Sequence, residues 1–156
     1  MTIRAFRLVA AALVLTSAVA GAAQAQNGSV HLGPRMSYQF DLEEFALGAQ
    51  LSAPLVPRLE VYPSFDYYFV DPGSFWNLNA DLKFRPSPGA AWLYLGGGLN
   101  VARTSIGDAT HTDGGVNAFL GMESRTGRVH PFAEFRFTNN NGSTGQVSAG
   151  LNITLR

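Results

Sequence analysis

The chain has no cysteine, which excludes disulfide staples, thiolate catalysis, cysteine-based metal sites and a lipid-anchored cysteine near the start. Charge is also scarce, at 14% of residues against about 25% in an ordinary soluble domain. A single lysine, Lys83, is present in 156 residues. Soluble β proteins protect their faces and edges with charge, lysine above all, so much of this surface is expected not to meet water. No apolar run reaches the roughly 20 residues that a membrane-spanning helix needs. The longest, over 8–20, stops well short.

That run belongs to a three-part pattern at the start of the chain. Arg4 and Arg7 precede it, and Ala23-Gln24-Ala25 follows as a small-residue cleavage site. The pattern is that of a secretory signal peptide over 1–25, leaving one domain over 26–156. Beyond residue 25 the chain carries nine basic and eleven acidic residues, a formal net charge of −2. No basic stripe is available to a nucleic acid, so no nucleic-acid partner is expected.

What the chain does have is alternation. In Trp76-Asn-Leu-Asn-Ala-Asp-Leu-Lys-Phe-Arg85 every second residue is apolar and every residue between is polar. Successive β side chains point to opposite faces, so this is a strand with one greasy and one polar face. Its ten residues match the roughly 9–11 that cross a bilayer at a tilt. An open sheet in lipid would leave edge amides unpaired, so such a strand implies a closed ring.

Similar patterns recur at 30–38, 45–53, 59–70, 91–103, 116–123, 131–138 and 146–155, giving eight strands in all. The links over 54–57, 71–74, 86–89 and 139–144 are rich in Pro, Gly and Asn, as turns are, and 104–114 is the longest connection. With each strand phased by its apolar residues, Arg35, Glu60, Asp66, Asp81, Lys83, Arg85, Glu123, Glu134 and Arg136 all fall on the polar face. A lysine or arginine on the lipid face at mid-depth would cost about 2–4 kcal/mol, and the sorting avoids it. Tyr38, Phe40, Phe45, Tyr67, Phe69, Phe75, Trp76 and Phe137 cluster at strand ends that would share one rim, with Phe84, Phe132 and Trp92 toward the other. Such belts mark the two interfaces of a membrane barrel. The fold expected is therefore all-β, an eight-stranded antiparallel up-and-down transmembrane β-barrel.

The chain resembles the small OmpA/OmpX-type outer-membrane β-barrels in Trp92-Leu-Tyr-Leu-Gly-Gly-Gly-Leu-Asn100, Gly115-Val-Asn-Ala-Phe-Leu-Gly-Met-Glu123 and Pro131-Phe-Ala-Glu-Phe-Arg-Phe137. The last strand resembles them too, in Ser148-Ala-Gly-Leu-Asn-Ile-Thr-Leu155. That resemblance implies export through the periplasm to a Gram-negative outer membrane, both termini periplasmic, and the links at 39–44, 71–74, 104–114 and 139–144 at the cell surface. It implies outer-membrane lipids and the barrel-assembly machinery as partners, the latter reading the C-terminal strand. The chain departs from the family in ending Leu155-Arg156 where a terminal aromatic is typical.

No catalytic, cofactor-binding or metal-ligating residues are assigned. Near balance of inward charge points to a filled lumen held by ion pairs, with Glu60 to Arg85 the specific pair expected. Gly96-Gly97-Gly98 has no Lys-Ser/Thr after it and is no phosphate cradle. His31 and His130 read as isolated, the second as a turn residue. The function expected is non-enzymatic, structural or surface-interacting. Two alternatives stand beside it. One is a soluble periplasmic barrel holding a small apolar ligand inside. The other is an outer-membrane lipid-modifying enzyme built on His111, Asp113, Ser105 and Asp108 in the longest connection.

Overall fold

A computed structural model describes residues 29–86 and 92–155. The expected signal peptide and the 86–89 turn beyond Pro86 lie outside the described residues. Among the described residues nine β segments occur in the order β1 (Val30–Gln39), β2 (Glu44–Val56), β3 (Leu59–Val61), β4 (Ser64–Tyr68), β5 (Ser74–Phe84), β6 (Leu93–Ile106), β7 (Ala109–Glu123), β8 (Val129–Asn139) and β9 (Ser143–Leu155). All pairings are antiparallel; β3 and β4 both lie between β2 and β5, and every other segment pairs with the next. The first strand pairs with the last, Val30 opposite Leu155 and Gln39 opposite Gln146. The sheet is thus a closed eight-stave barrel, in which β3 and β4 together form one stave.

That stave reads from its alternation as one strand over 59–70. It is instead interrupted at Tyr62 and Pro63 and ends at Tyr68. Pro63 lacks the N–H a continuous ladder would use, but its carbonyl still accepts from the Leu51 N–H at 3.0 Å. On the facing strand the register slips between Pro54 and Val56, so β2 runs past Pro54 and the turn falls at Pro57 and Arg58, the latter with φ 70°.

The largest departure is at 104–114. It is no loop: β6 and β7 continue as a ribbon to the pair Ile106 and Ala109. Gly107, with φ 58°, takes the first central position of the two-residue turn, where a type II′ hairpin uses glycine.

Burial alternates along much of the wall, though not along the ribbon half of β7. On β8 it runs strictly exposed, buried, exposed from Val129 to Asn139. The buried set is polar: Arg35, Asp66, Lys83, Glu123, Glu134 and Arg136 lie inside, while Leu47, Leu78, Leu99, Val116, Leu120, Phe135 and Ile153 are exposed outside. All nine charges sorted to the polar face by the alternation are buried in the barrel. This is the reverse of a soluble barrel with an apolar interior, and water would leave the apolar wall unsatisfied.

The aromatic belt forms at the rim away from the termini, with Tyr38 against Phe45 at 4.9 Å, Phe65 against Trp76 at 6.0 Å and Tyr67 against Phe69 at 5.7 Å between ring centroids. Two members differ from the expectation. Phe75 shares the phase of buried Asn77 and packs on the fully buried Tyr68. Phe132 is buried. Trp92, just before β6, is exposed as a rim residue would be.

Candidate functional site

Two places carry the polar groups that any function must use: the lumen, and the barrel end away from the termini, called here the hairpin end. The lumen is layered. Nearest the termini, His130 on β8 is buried rather than set in a turn. Its Nδ1 lies 2.8 Å from the Ser124 carbonyl and its Nε2 3.0 Å from Thr154 Oγ1. A carbonyl only accepts, so Nδ1 carries the proton. His31 reaches the same Thr154 hydroxyl at 3.3 Å and meets the His130 ring edge-on at 5.0 Å. The two histidines are therefore partners across β1, β9 and β8.

Above them lies a balanced four-charge cluster. Lys83 Nζ is 2.8 Å from Glu123 and 3.4 Å from Glu60, while Arg85 is 2.7 Å from Glu60 and 2.5 Å from Glu123. The Ser52 hydroxyl also donates to Glu60. The expected Glu60 to Arg85 pair is present, but through a different register. The residue opposite Glu60 is Lys83, so Arg85 reaches its partner diagonally.

The next layer is an aromatic belt of Tyr62, Tyr94 and Phe119. Lys83 Nζ lies 4.4 Å from the Tyr62 ring centre and 4.5 Å from that of Tyr94, and the Arg136 guanidinium lies 4.7 Å from the Phe119 ring. Cations over aromatic faces are stabilised by the ring quadrupole. Both phenols are satisfied, Tyr62 donating to Gln50 at 2.7 Å and Tyr94 to Glu134 at 3.1 Å. Beyond the belt, Arg35 pairs with Asp66 at 3.1 Å and Glu134 at 3.4 Å, and Arg136 with Asp81 at 2.6 Å and Glu134 at 3.0 Å. Asparagines fill the layer toward the hairpin end: Asn100 and Asn117 both donate to Asn79 Oδ1, at 2.7 and 3.0 Å, and Asn140 donates to Asn100 at 3.1 Å.

This packing of ion pairs, amides and rings leaves a lumen lined by charge, unlike the apolar chamber of a ligand-carrying barrel. An apolar groove of about 560 Å³ lies instead on the outer wall, where Met36, Leu120 and Phe135 surround Ala133 and Ala149, a cross-strand pair of small residues. Among the described residues no group of three or more His, Cys, Asp or Glu side chains could hold a metal ion.

At the hairpin end the structure separates the residues of the enzyme alternative. His111 Nε2 and Asp113 Oδ1 are 2.9 Å apart. Thr104 is opposite His111 in the ribbon, so the adjacent Ser105 points to the other face, where its hydroxyl lies 3.3 Å from that of Thr110. Nucleophile and base are thus on opposite sides of one sheet, and Asp108 sits in the turn.

Two features here were not drawn from the sequence. First, β7 pairs with β8 only from Val116 and Asn139 onward, while it pairs with β6 up to the turn. Among the described residues, no strand pairs with the ribbon edge over 109–115. The Glu123 N–H points to β6, bonding Trp92 O at 2.6 Å. Counting back by twos, Thr110, Thr112 and Gly114 direct their backbone groups to the open side. Secondly, the charges outside the lumen are segregated. Asp41, Glu43, Glu44, Asp71, Asp108 and Asp113 belong to the hairpin end, with Arg103 the one described basic residue among them, whereas Arg58, Arg125 and Arg128 lie in turns at the other end. Both signals exist in the sequence, but only a correct strand count and the true position of the turn expose them.

A closed antiparallel eight-stave barrel with an apolar outer wall and an ionic interior defines the class: the fold is that of the small OmpA-like outer-membrane barrels. Among solved structures it resembles the N-terminal β-barrel domain of Pseudomonas aeruginosa OprF, with 15% identity, 81% of this chain and 97% of that one covered, and a TM-score of 0.68. It also resembles Neisserial surface protein A, with 16% identity, coverage of 81% and 96%, and a TM-score of 0.60. A third is Ail, the attachment invasion locus protein of Yersinia pestis, with 15% identity, coverage of 81% and 97%, and a TM-score of 0.52. No family model and no curated protein matches the chain by sequence.

Proposed function

We propose that this protein is an exported, non-enzymatic outer-membrane barrel with a filled lumen, whose role is to occupy the membrane and present the hairpin end to the exterior. The observation that carries this reading is the sorting of side chains: nine charged residues of the strands and their ends are buried within the ring, and an unbroken apolar wall faces out. Lipid chains are the solvent that wall suits, and a closed ring is the one sheet that leaves no amide unpaired in hydrocarbon. The C-terminal strand, with Leu151, Ile153 and Leu155 outward, is the segment offered to the assembly machinery.

Surface interaction is favoured by the ribbon of β6 and β7. An unpaired strand edge is a template to which an extended segment of another chain can add. The similarity in fold to Neisserial surface protein A and to the attachment invasion locus protein Ail is consistent with that role.

The test is cell fractionation followed by gel mobility with and without heating. Recovery with the outer membrane, and a compact band that slows on heating, support the proposal. Recovery in the soluble periplasmic fraction overturns it in favour of the soluble barrel. For the surface role, shortening the ribbon by replacing 104–111 with a two-residue turn should leave mobility unchanged and abolish strand-mediated capture of an exterior partner.

A further inference from the structure

The groove on the outer wall does not end at its alanines. A second hollow of about 500 Å³, bounded by Trp92, Ser124 and Pro131, lies toward the end that carries the termini. The two share Met122 and Ala133, so they form one furrow down the wall. Small side chains make it. Ala133 and Ala149 are paired across β8 and β9, and their row continues into Met122 on β7 and Met36 on β1. Two short side chains between two long ones leave a trough. From Pro131 to Phe135 it follows β8 for about 13 Å, at roughly 3.3 Å per residue. The apolar band of a membrane barrel is about 25 Å tall, so the trough matches the depth of one leaflet.

The furrow opens on the turn between β7 and β8. Ser124-Arg-Thr-Gly-Arg128 is exposed at every position and carries two guanidinium groups, two hydroxyls and no acid. The four cations of the lumen are all paired, but neither Arg125 nor Arg128 forms an ion pair among the described residues. The described acids outside the lumen belong to the hairpin end. Trp92 stands at the mouth of the furrow, 55% exposed, its carbonyl accepting from the Glu123 N–H. Tryptophan is the side chain that sits at headgroup level.

We propose that this furrow binds one anionic phospholipid of the adjoining leaflet, with its phosphate over Arg125 and Arg128 and an acyl chain along Ala133 and Ala149. The inference rests on the membrane reading above. Charge selects the headgroup: a zwitterionic lipid carries a cation beside its phosphate, which two unpaired arginines disfavour, and an anionic lipid carries none. Shape selects the chain, because a chain in a trough gains contacts on both sides that a flat wall does not offer. Basic residues near anionic lipid favour it by roughly fivefold each.

The experiment uses the folded barrel in phosphatidylcholine vesicles with a minor fraction of phosphatidylglycerol, brominating the acyl chains of one lipid at a time to quench tryptophan. The chain has two tryptophans. Trp76→Phe leaves Trp92 to report on the furrow, and Trp92→Phe leaves Trp76, at the other rim, as the control. Relative affinity for phosphatidylglycerol over phosphatidylcholine should be about fivefold or more at Trp92 and about one at Trp76, and inorganic phosphate should not displace the lipid. Arg125→Gln with Arg128→Gln should bring the Trp92 ratio to about one. Ala133→Leu, which fills the trough and keeps both arginines, should lower it at least twofold. A ratio of one at Trp92 overturns the proposal, as does a ratio indifferent to the arginines; one indifferent to Ala133→Leu overturns the acyl seat. Heat-dependent gel mobility is read first. A barrel that does not insert fails the membrane reading, whereas an inserted barrel with equal ratios fails this inference alone.

Discussion

Arg85 reaches diagonally along the lumen wall to Glu60, its Nε donating to Oε1 at 2.7 Å, although the residue opposite Glu60 is Lys83. The diagonal lets each cation of the layer touch both carboxylates, so four groups share their charge rather than forming two separate pairs. Removing one member leaves the others buried and unbalanced. Arg85→Met is expected to cost about 3–5 kcal/mol, the penalty for breaking a buried pair by one side. The double substitution Arg85→Met with Glu123→Gln, which restores neutrality around Lys83 and Glu60, should recover part of that loss. Urea unfolding in lipid vesicles measures both, and a single-variant loss below about 0.5 kcal/mol would show that the pair is not structural.

The outer wall gives an independent test of the barrel's solvent. Leu99 lies well within β6, opposite Ala80 and Val116, and is 65% exposed. In a bilayer, Leu99→Arg should cost about 2–4 kcal/mol, whereas Val129→Arg, close to the rim, should cost about 0–1 kcal/mol. On a water-facing surface both would fall within about ±0.5 kcal/mol. Equal costs at the two depths, measured by the same unfolding experiment, would contradict the lipid-facing assignment.

The contrast between what the sequence makes legible and what it hides is clearest in these residues. Phase is legible, because a one-residue error would turn Lys83 or Glu134 into lipid; the nine charges therefore fix inside and outside. Register is less so. Counting from a turn centred on Pro72 and Gly73 puts Glu60 opposite Arg85, but the constant register from Leu59 and Phe84 to Tyr68 and Phe75 centres the turn one residue earlier, between Asp71 and Pro72, which moves the partner by two residues to Lys83. Strand ends are less legible still. In 104–114 the polar residues His111, Thr112 and Asp113 look like a loop, since a ribbon beyond the apolar wall has no greasy face to mark it. His130 next to Pro131 likewise resembles a turn until its two ring nitrogens are seen to be bonded.

Close packing in the lumen is set by glycine as much as by charge. A β-carbon at Gly121 would collide with the ring carbon and hydroxyl of Tyr94, and Tyr94 is fully buried with its hydroxyl on Glu134. Gly121→Ala should displace that ring and cost about 1–3 kcal/mol, as overpacking does. Adding Tyr94→Phe should relieve the hydroxyl's part of the clash, so the two substitutions should be less than additive. Strict additivity in unfolding free energy would mean that Tyr94 does not yield to the new methyl group.

The belt of Tyr62, Tyr94 and Phe119 stands between the two ionic layers, with ring centroids 5.5 to 6.3 Å apart and Lys83 and Arg136 seated on its faces. A path for ions would have to pass both the rings and the cations they hold, so the unaltered barrel should show no stepwise conductance in planar bilayers. Aromatic side chains bury about 150–250 Å² each, and the triple substitution Tyr62→Ala, Tyr94→Ala, Phe119→Ala removes the belt while keeping every ion pair. It should conduct, and should prefer cations, because five acids face four bases along the lumen. Heat-dependent gel mobility verifies that the triple variant is folded. Sustained conductance in the unaltered protein, or none in a folded triple variant, would place the barrier elsewhere than in these three rings.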